Sequence, residues 1–189
     1  VDCVAERVSH EMLRAYVREN KPDVVGITSF TVCLMDVCLV AEMVKEEFPD
    51  THVCLGGHHP IAYPKEAAEL KNFDSIVVGE GEIVFTELVE CLDKGESFTH
   101  IRGVYTGESI KEHLKNPIRD KRFLARVNVP AAYVDEIDDL PVVDRSFIRH
   151  LRYQNILGVT NDLATILSSR GCPYLCTFCD VPIKSYRER

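Results

Sequence analysis

Three short apolar runs, Val24-Val25-Gly26-Ile27-Thr28, Val53-Cys54-Leu55 and Ser75-Ile76-Val77-Val78, recur with helical stretches between them. This alternation limits the fold more than any other feature of the chain. A strand that is apolar at nearly every position, rather than every second one, has no solvent face and must be covered on both sides. Helical spacing separates the runs. Ser9 to Glu19 places Met12, Leu13, Tyr16 and Val17 on one side, and Met35 to Phe48 is apolar at 35, 39, 40, 43 and 44. Glu66 to Leu70 and Glu82 to Leu92 supply two further helices. Strands joined through helical crossovers run parallel and carry helices on both faces. The expected fold class is α/β, a parallel-sheet domain over residues 1–100.

In such a sheet, ligands bind beyond the carboxyl ends of the strands. Three stretches fall on that edge: Thr28-Ser29-Phe30-Thr31, Gly56-Gly57-His58-His59-Pro60 and Gly79-Glu80-Gly81-Glu82. Glycines let backbone approach a bulky ligand, and small hydroxyl side chains can bond its polar rim. Each stretch taken alone also reads as an ordinary tight turn. No G-x-G-x-x-G follows a strand and no P-loop motif occurs, so dinucleotide and P-loop nucleotide sites lose support. In an extended segment His58 and His59 would point to opposite sides, which argues against a shared metal ion. Contact of one of them with a ligand or a neighbouring domain is the better reading.

Thirty acidic against 22 basic side chains leave a net charge of -8, with no basic stripe to collect phosphates. That argues against a nucleic-acid partner. Lys184, Arg187 and Arg189 read as a solvated face. No apolar run reaches the roughly 20 residues a membrane span needs, and no signal peptide is present, so a cytoplasmic location is expected. Cys3, Cys33, Cys38, Cys54 and Cys91 are scattered through apolar or helical patterns and read as reduced thiols, with core packing for Cys33, Cys38 and Cys54. The opening Val1-Asp2-Cys3, without an initiator Met, is expected of a piece of a longer chain.

From Glu96 to about Leu157 the patterning weakens. Ile101 to Tyr105 reads as an edge strand, Asp135 to Asp139 as an acidic turn before the extended Leu140 to Val143, and Arg145 to Arg152 as a short helix; residues 101–160 are expected to form a linker along the first domain. Ala164 to Leu167 then forms a brief apolar strand that runs into Arg170-Gly-Cys-Pro-Tyr-Leu-Cys-Thr-Phe-Cys-Asp180. Cys172, Cys176 and Cys179 cannot share one regular face, and a common ligand gives them one purpose. Soft sulfur donors suit an iron–sulfur cluster or zinc. Zinc asks for a fourth ligand, for which only Asp180 is at hand. A 4Fe–4S cluster on three cysteines leaves one iron open. Three free thiols are the plain alternative.

The run Arg170-Gly-Cys-Pro-Tyr-x-Cys-x-Phe-Cys179 resembles the C-x-x-x-C-x-x-C signature of radical S-adenosylmethionine enzymes. Pro22-Asp-Val-Val-Gly-Ile-Thr-Ser29, Leu55-Gly-Gly-His-His-Pro60 and Val78-Gly-Glu-Gly-Glu82 resemble the subclass with an N-terminal cobalamin-binding domain, which includes anaerobic magnesium-protoporphyrin monomethyl ester cyclases and many methyltransferases. The resemblance implies a Rossmann-like, flavodoxin-like cobalamin domain, a linker, and over residues 161–189 the first strand and cluster loop of a radical barrel. It implies that Cys172, Cys176 and Cys179 each bind one iron, that S-adenosylmethionine chelates the fourth, and that Phe178 packs beside the cluster or the adenine. Reductive cleavage would give methionine and a 5′-deoxyadenosyl radical. The implied corrinoid contacts are Ser29 and the Gly56-Gly57 pair, with Thr28 and Thr31 auxiliary and Gly79, Glu80 and Gly81 nearby; Phe30 and His58 complete that edge. The D-x-H-x-x-G motif, whose histidine binds cobalt, is not found, and His10 is not spaced to replace it.

The expected function is that of part of a cobalamin-dependent radical enzyme that cyclises or methylates a tetrapyrrole or another unreactive carbon centre, with a small-molecule substrate and an external electron donor. Residues 1–189 alone, which hold no catalytic group beyond the cluster ligands, are expected to be inactive, since one strand and its loop cannot enclose S-adenosylmethionine. Two other classes remain open: a docking module that binds no corrinoid, favoured by an exposed apolar edge at Phe30 and His58 without a cavity, and a structural zinc segment at the cysteines.

Overall fold

A computed structural model describes residues 1–115, 129–148, 166–174, 176, 187 and 188. Strands β1 (Val24–Ser29), β2 (His52–Gly57) and β3 (Ser75–Val77) lie parallel in that order, with Val24 opposite His52, Ser29 opposite Gly57 and Cys54 opposite Ser75. β4 (Val104–Tyr105) adds an antiparallel edge to β3, where the sequence placed an edge strand. β2 is the central strand, and Val53, Cys54 and Leu55 are all buried, as an uninterrupted apolar run requires.

Helix α1 (His10–Asn20) starts where the Ser9 hydroxyl accepts the Met12 N–H at 3.2 Å, and it ends at Lys21 in the left-handed region. Val17 is buried while Met12 and Tyr16 are exposed. α2 (Leu34–Glu47) buries Val37, Ala41, Met43 and Val44 and leaves Met35 and Leu39 in solvent. Its first two turns are apolar nearly all round, so the pattern did not say which face turns inward. Arg14 and Arg18 tie α1 to Glu46 and Glu47 of α2 at 2.6–2.7 Å. α5 (Glu82–Lys94) runs beside β3 and stops at Gly95.

Two helices fill the crossover from β2 to β3. α3 (His58–Ala62) starts directly behind Gly57, where a bare turn was expected, and α4 (Pro64–Glu69) follows. Pro60 and Pro64 both sit in first turns, where a missing N–H breaks no helical bond.

After α6 (Gly107–Lys115), the strap 129–134 is built into the first domain. The Ala132 N–H donates to the Val78 carbonyl at 2.8 Å, and the Glu80 N–H donates to Ala132 O at 3.1 Å. Val129 and Ala131 are buried in the core with Leu55, Ile76 and Ile110. Farther on, the expected helix at 145–152 shows a 3₁₀ turn, Ser146–Ile148, and residues 149–152 lie outside the described residues. The short strand is β5 (Ser169–Arg170), paired antiparallel with β6 (Arg187–Glu188). It stands later than the Ala164–Leu167 run: Ile166 and Leu167 are exposed and in no strand, and Ala164 lies outside the described residues.

Candidate cofactor site

A cavity of about 300 Å³ opens at the carboxyl edge of the sheet. Five of its ten lining residues are glycines, so much of its wall is backbone and a bulky group can come close. The five serve two ends. At Gly26 a Cβ would stand 2.8 Å from Cζ of Phe85, at Gly57 it would stand 2.6 Å from the Ser29 backbone, and at Gly79 it would collide with Ala132 O. Those three allow the chain to pack. At Gly56 and Gly81 a Cβ would meet nothing within 4 Å. Those two hold open space toward the cavity.

Thr28, Gly56, Gly57, Gly79 and Gly81, all expected at the site, are brought together around this cavity. Ser29 is fully buried beside it, its hydroxyl donating to the Gly56 carbonyl at 3.3 Å. Phe30 and His58 stack on the open edge with ring centroids 4.8 Å apart. Phe30, Val32 and Met35 are exposed there. Thr31 turns the other way and meets Nδ1 of His59 at 3.2 Å.

Glu80 also turns away from the cavity. Its Oε2 accepts the Val134 N–H at 2.7 Å, and its Oε1 lies 3.4 Å from the Arg170 guanidinium. Glu82 binds the same guanidinium at 2.6 Å. Two residues beyond Arg170 comes Cys172, half-buried, and then Cys176, exposed; both are free thiols. Phe178 and Cys179 lie outside the described residues. Among the described residues, no group of three His, Cys, Asp or Glu side chains is arranged to hold a metal ion.

Cavity residues that sequence reasoning missed are Gly26, Ile27, Cys54, Val77 and Phe85. A glycine inside an apolar strand, as at Gly26, signals close approach by another group, and here that group is the Phe85 ring. Burial pushes the Cys54 thiol up to about 11, so it stays a neutral wall at pH 7.

His59 is fully buried, and its Nε2 has no partner among the described residues. Burial lowers its pKa, with Glu66 pulling weakly the other way. The unfolded imidazole binds protons near its ordinary value of about 6.5. Below that pH the unfolded state takes up more protons than the native one, so stability falls with pH until the depressed native pKa is passed. Urea midpoints at pH 7.5 and 5.5 should therefore differ less in His59→Gln than in the native chain. His52, lowered mainly by burial as well, keeps part of the slope.

Residues 1–89 match the protein family described as B12 binding domain. An uncharacterized methyltransferase of Pyrococcus horikoshii is 30% identical over 180 residues, which is 95% of this chain and 36% of that protein. The anaerobic magnesium-protoporphyrin IX monomethyl ester cyclase of Rubrivivax gelatinosus is 29% identical over 95% of this chain and 30% of that protein. Among solved structures, the radical S-adenosylmethionine methyltransferase TsrM of Kitasatospora setae, with cobalamin and a 4Fe–4S cluster bound, superposes with a TM-score of 0.64 at 18% identity, over 100% of this chain and 37% of that one. The chain thus spans about a third of the length of the curated relatives it matches. No helix among the described residues is long and apolar enough to cross a membrane.

Proposed function

We infer that the chain is a Rossmann-like α/β B12-binding domain followed by the start of a radical-SAM-like fold, related to cobalamin-dependent radical SAM methyltransferases. The whole protein is a cobalamin-dependent radical enzyme that cyclises or methylates an unreactive carbon centre, a tetrapyrrole being one such substrate, and takes electrons from an external donor. Residues 1–189 contribute the corrinoid seat and the cluster ligands, and turnover belongs to the whole protein.

The carboxyl edge of the sheet would hold the corrinoid. Gly56 and Gly81 leave room for its bulk, Thr28 and Gly57 line the wall, and Ser29 holds the Gly56 carbonyl in place. Phe30 and His58 offer an apolar ring face at the rim, and Gly79, Glu80 and Gly81 form the far lip. Thr31 acts through His59. Cys172, Cys176 and Cys179 would hold the 4Fe–4S cluster, and Phe178 would pack beside the cluster or the adenine. When bound, the cluster and S-adenosylmethionine supply one-electron cleavage to a 5′-deoxyadenosyl radical. The protein's part is to hold the thiolates, exclude water and set the cysteine loop beside the cavity. One observation carries the reading: the stretch Gly79–Glu82 that lines the cavity also binds Arg170, two residues before Cys172.

Anaerobic reconstitution of the whole protein with iron, sulfide and hydroxocobalamin tests it. About four irons and one corrinoid per chain are expected, with a reduced-cluster paramagnetic signal that S-adenosylmethionine alters. One zinc per chain and no iron would overturn the cluster assignment; no retained corrinoid would leave the docking module, which the exposed Phe30 and His58 edge favours and the cavity beside it disfavours.

A further inference from the structure

We propose that Glu80, Glu82 and Arg170 form a positioning clamp that fixes the cysteine loop to the lip of the cavity. The role of that loop rests on the reading above, while the clamp itself stands on contacts of this chain. Arg170 closes β5, and its two terminal nitrogens reach two carboxylates, one at the start of α5 and one just before it, Nη2 to Glu82 Oε1 at 2.6 Å and Nη1 to Glu80 Oε1 at 3.4 Å. A guanidinium fork suits such a pair because its donors diverge in one plane, which an ammonium cannot reproduce.

Glu80 is also held from the side away from Arg170. Its side chain is only 9% exposed, its Oε2 takes the Val134 N–H, and its own N–H is tied to Ala132. The carboxylate is therefore ordered and partly desolvated, so losing a charged partner costs more than at an ordinary surface pair. Only Gly171 stands between Arg170 and Cys172, about 7 Å of chain at most. Fixing Arg170 thus fixes the height of Cys172. Gly79 and Gly81 flank Glu80 and line the cavity, so whatever fills it leans on the element that holds the cysteines.

Hydrogen–deuterium exchange on the whole protein, free of metal and corrinoid, decides whether the clamp exists. Arg170→Gln should speed exchange over residues 166–174 about tenfold and leave α1 and α2 unchanged. Arg170→Lys, which keeps the charge and loses the fork, should restore only part of the protection. Native protection over 166–174 in Arg170→Gln would overturn the proposal. If that variant loses protection everywhere, Glu82→Gln decides instead, since Glu82 is half-exposed and outside the core: a local rise supports the clamp, and unchanged exchange overturns it. After reconstitution, the reduced-cluster signal of Arg170→Lys should shift in g-values at native iron content, and an identical signal would refute a positioning role. A wild-type protein that takes up no cluster would defeat the functional reading alone, because the exchange result is read without cofactor.

Discussion

Gly56→Val should keep the chain folded and cost it its corrinoid. The backbone at Gly56 is in an ordinary conformation for any residue, and a Cβ placed there meets nothing within 4 Å. Gly56 lies in β2, where a β-branched side chain suits the strand. Stability should therefore change by no more than about 1 kcal/mol. The new carbons enter a space of only about 300 Å³ on the side where the ligand would sit. Overpacking of that kind costs roughly 1–3 kcal/mol, or about 5- to 150-fold in affinity. Visible absorption of hydroxocobalamin retained after desalting, read beside a urea melt, separates the two effects. Undiminished retention in a folded Gly56→Val variant would place the corrinoid elsewhere.

The sheet was legible because its strands carry their own signature. Val53-Cys54-Leu55 has no polar position, so β2 had to be covered on both faces, and the glycine-rich stretches at strand ends pointed to the edge where the cavity opens. What stayed hidden depends on directions that one-dimensional patterns do not carry. Met35 and Leu39 looked like core residues, yet the inward face of α2 passes through Val37, Ala41 and Val44. Glu80 and Gly81 are neighbours in one motif, but the Glu80 carboxylate points to Val134 and Arg170, 54 and 90 positions away, while Gly81 faces the cavity. Thr31 reads as a ligand hydroxyl until α3, which the sequence did not announce, sets His59 beside it. In each case a long-range contact selected one of several roles that the residue type allowed.

Gly57→Ala should do the reverse of Gly56→Val one position earlier: the chain loses stability before any ligand is considered. Gly57 sits at φ 92°, ψ -165°, a region that is almost the preserve of glycine and costs a side chain about 1–3 kcal/mol. An added Cβ would also stand 2.6 Å from both N and O of Ser29 and 2.7 Å from Oγ1 of Thr28. Ser29 cannot step aside cheaply, since it is fully buried and its hydroxyl holds the Gly56 carbonyl. Relief must come from parting β1 and β2 at their carboxyl ends, where Ser29 lies opposite Gly57. Strain and overpacking together come to about 2–6 kcal/mol. At roughly 2–4 °C per kcal/mol for a chain of this size, the melting temperature should drop by roughly 4–24 °C. Corrinoid retention should fall as well, because the same parting opens the cavity wall at Thr28. A Gly57→Ala variant that melts within about 2 °C of the native chain would mean that the turn into α3 relaxes without disturbing the strands. The tight approach of Gly57 to Ser29 would then not be what shapes the edge.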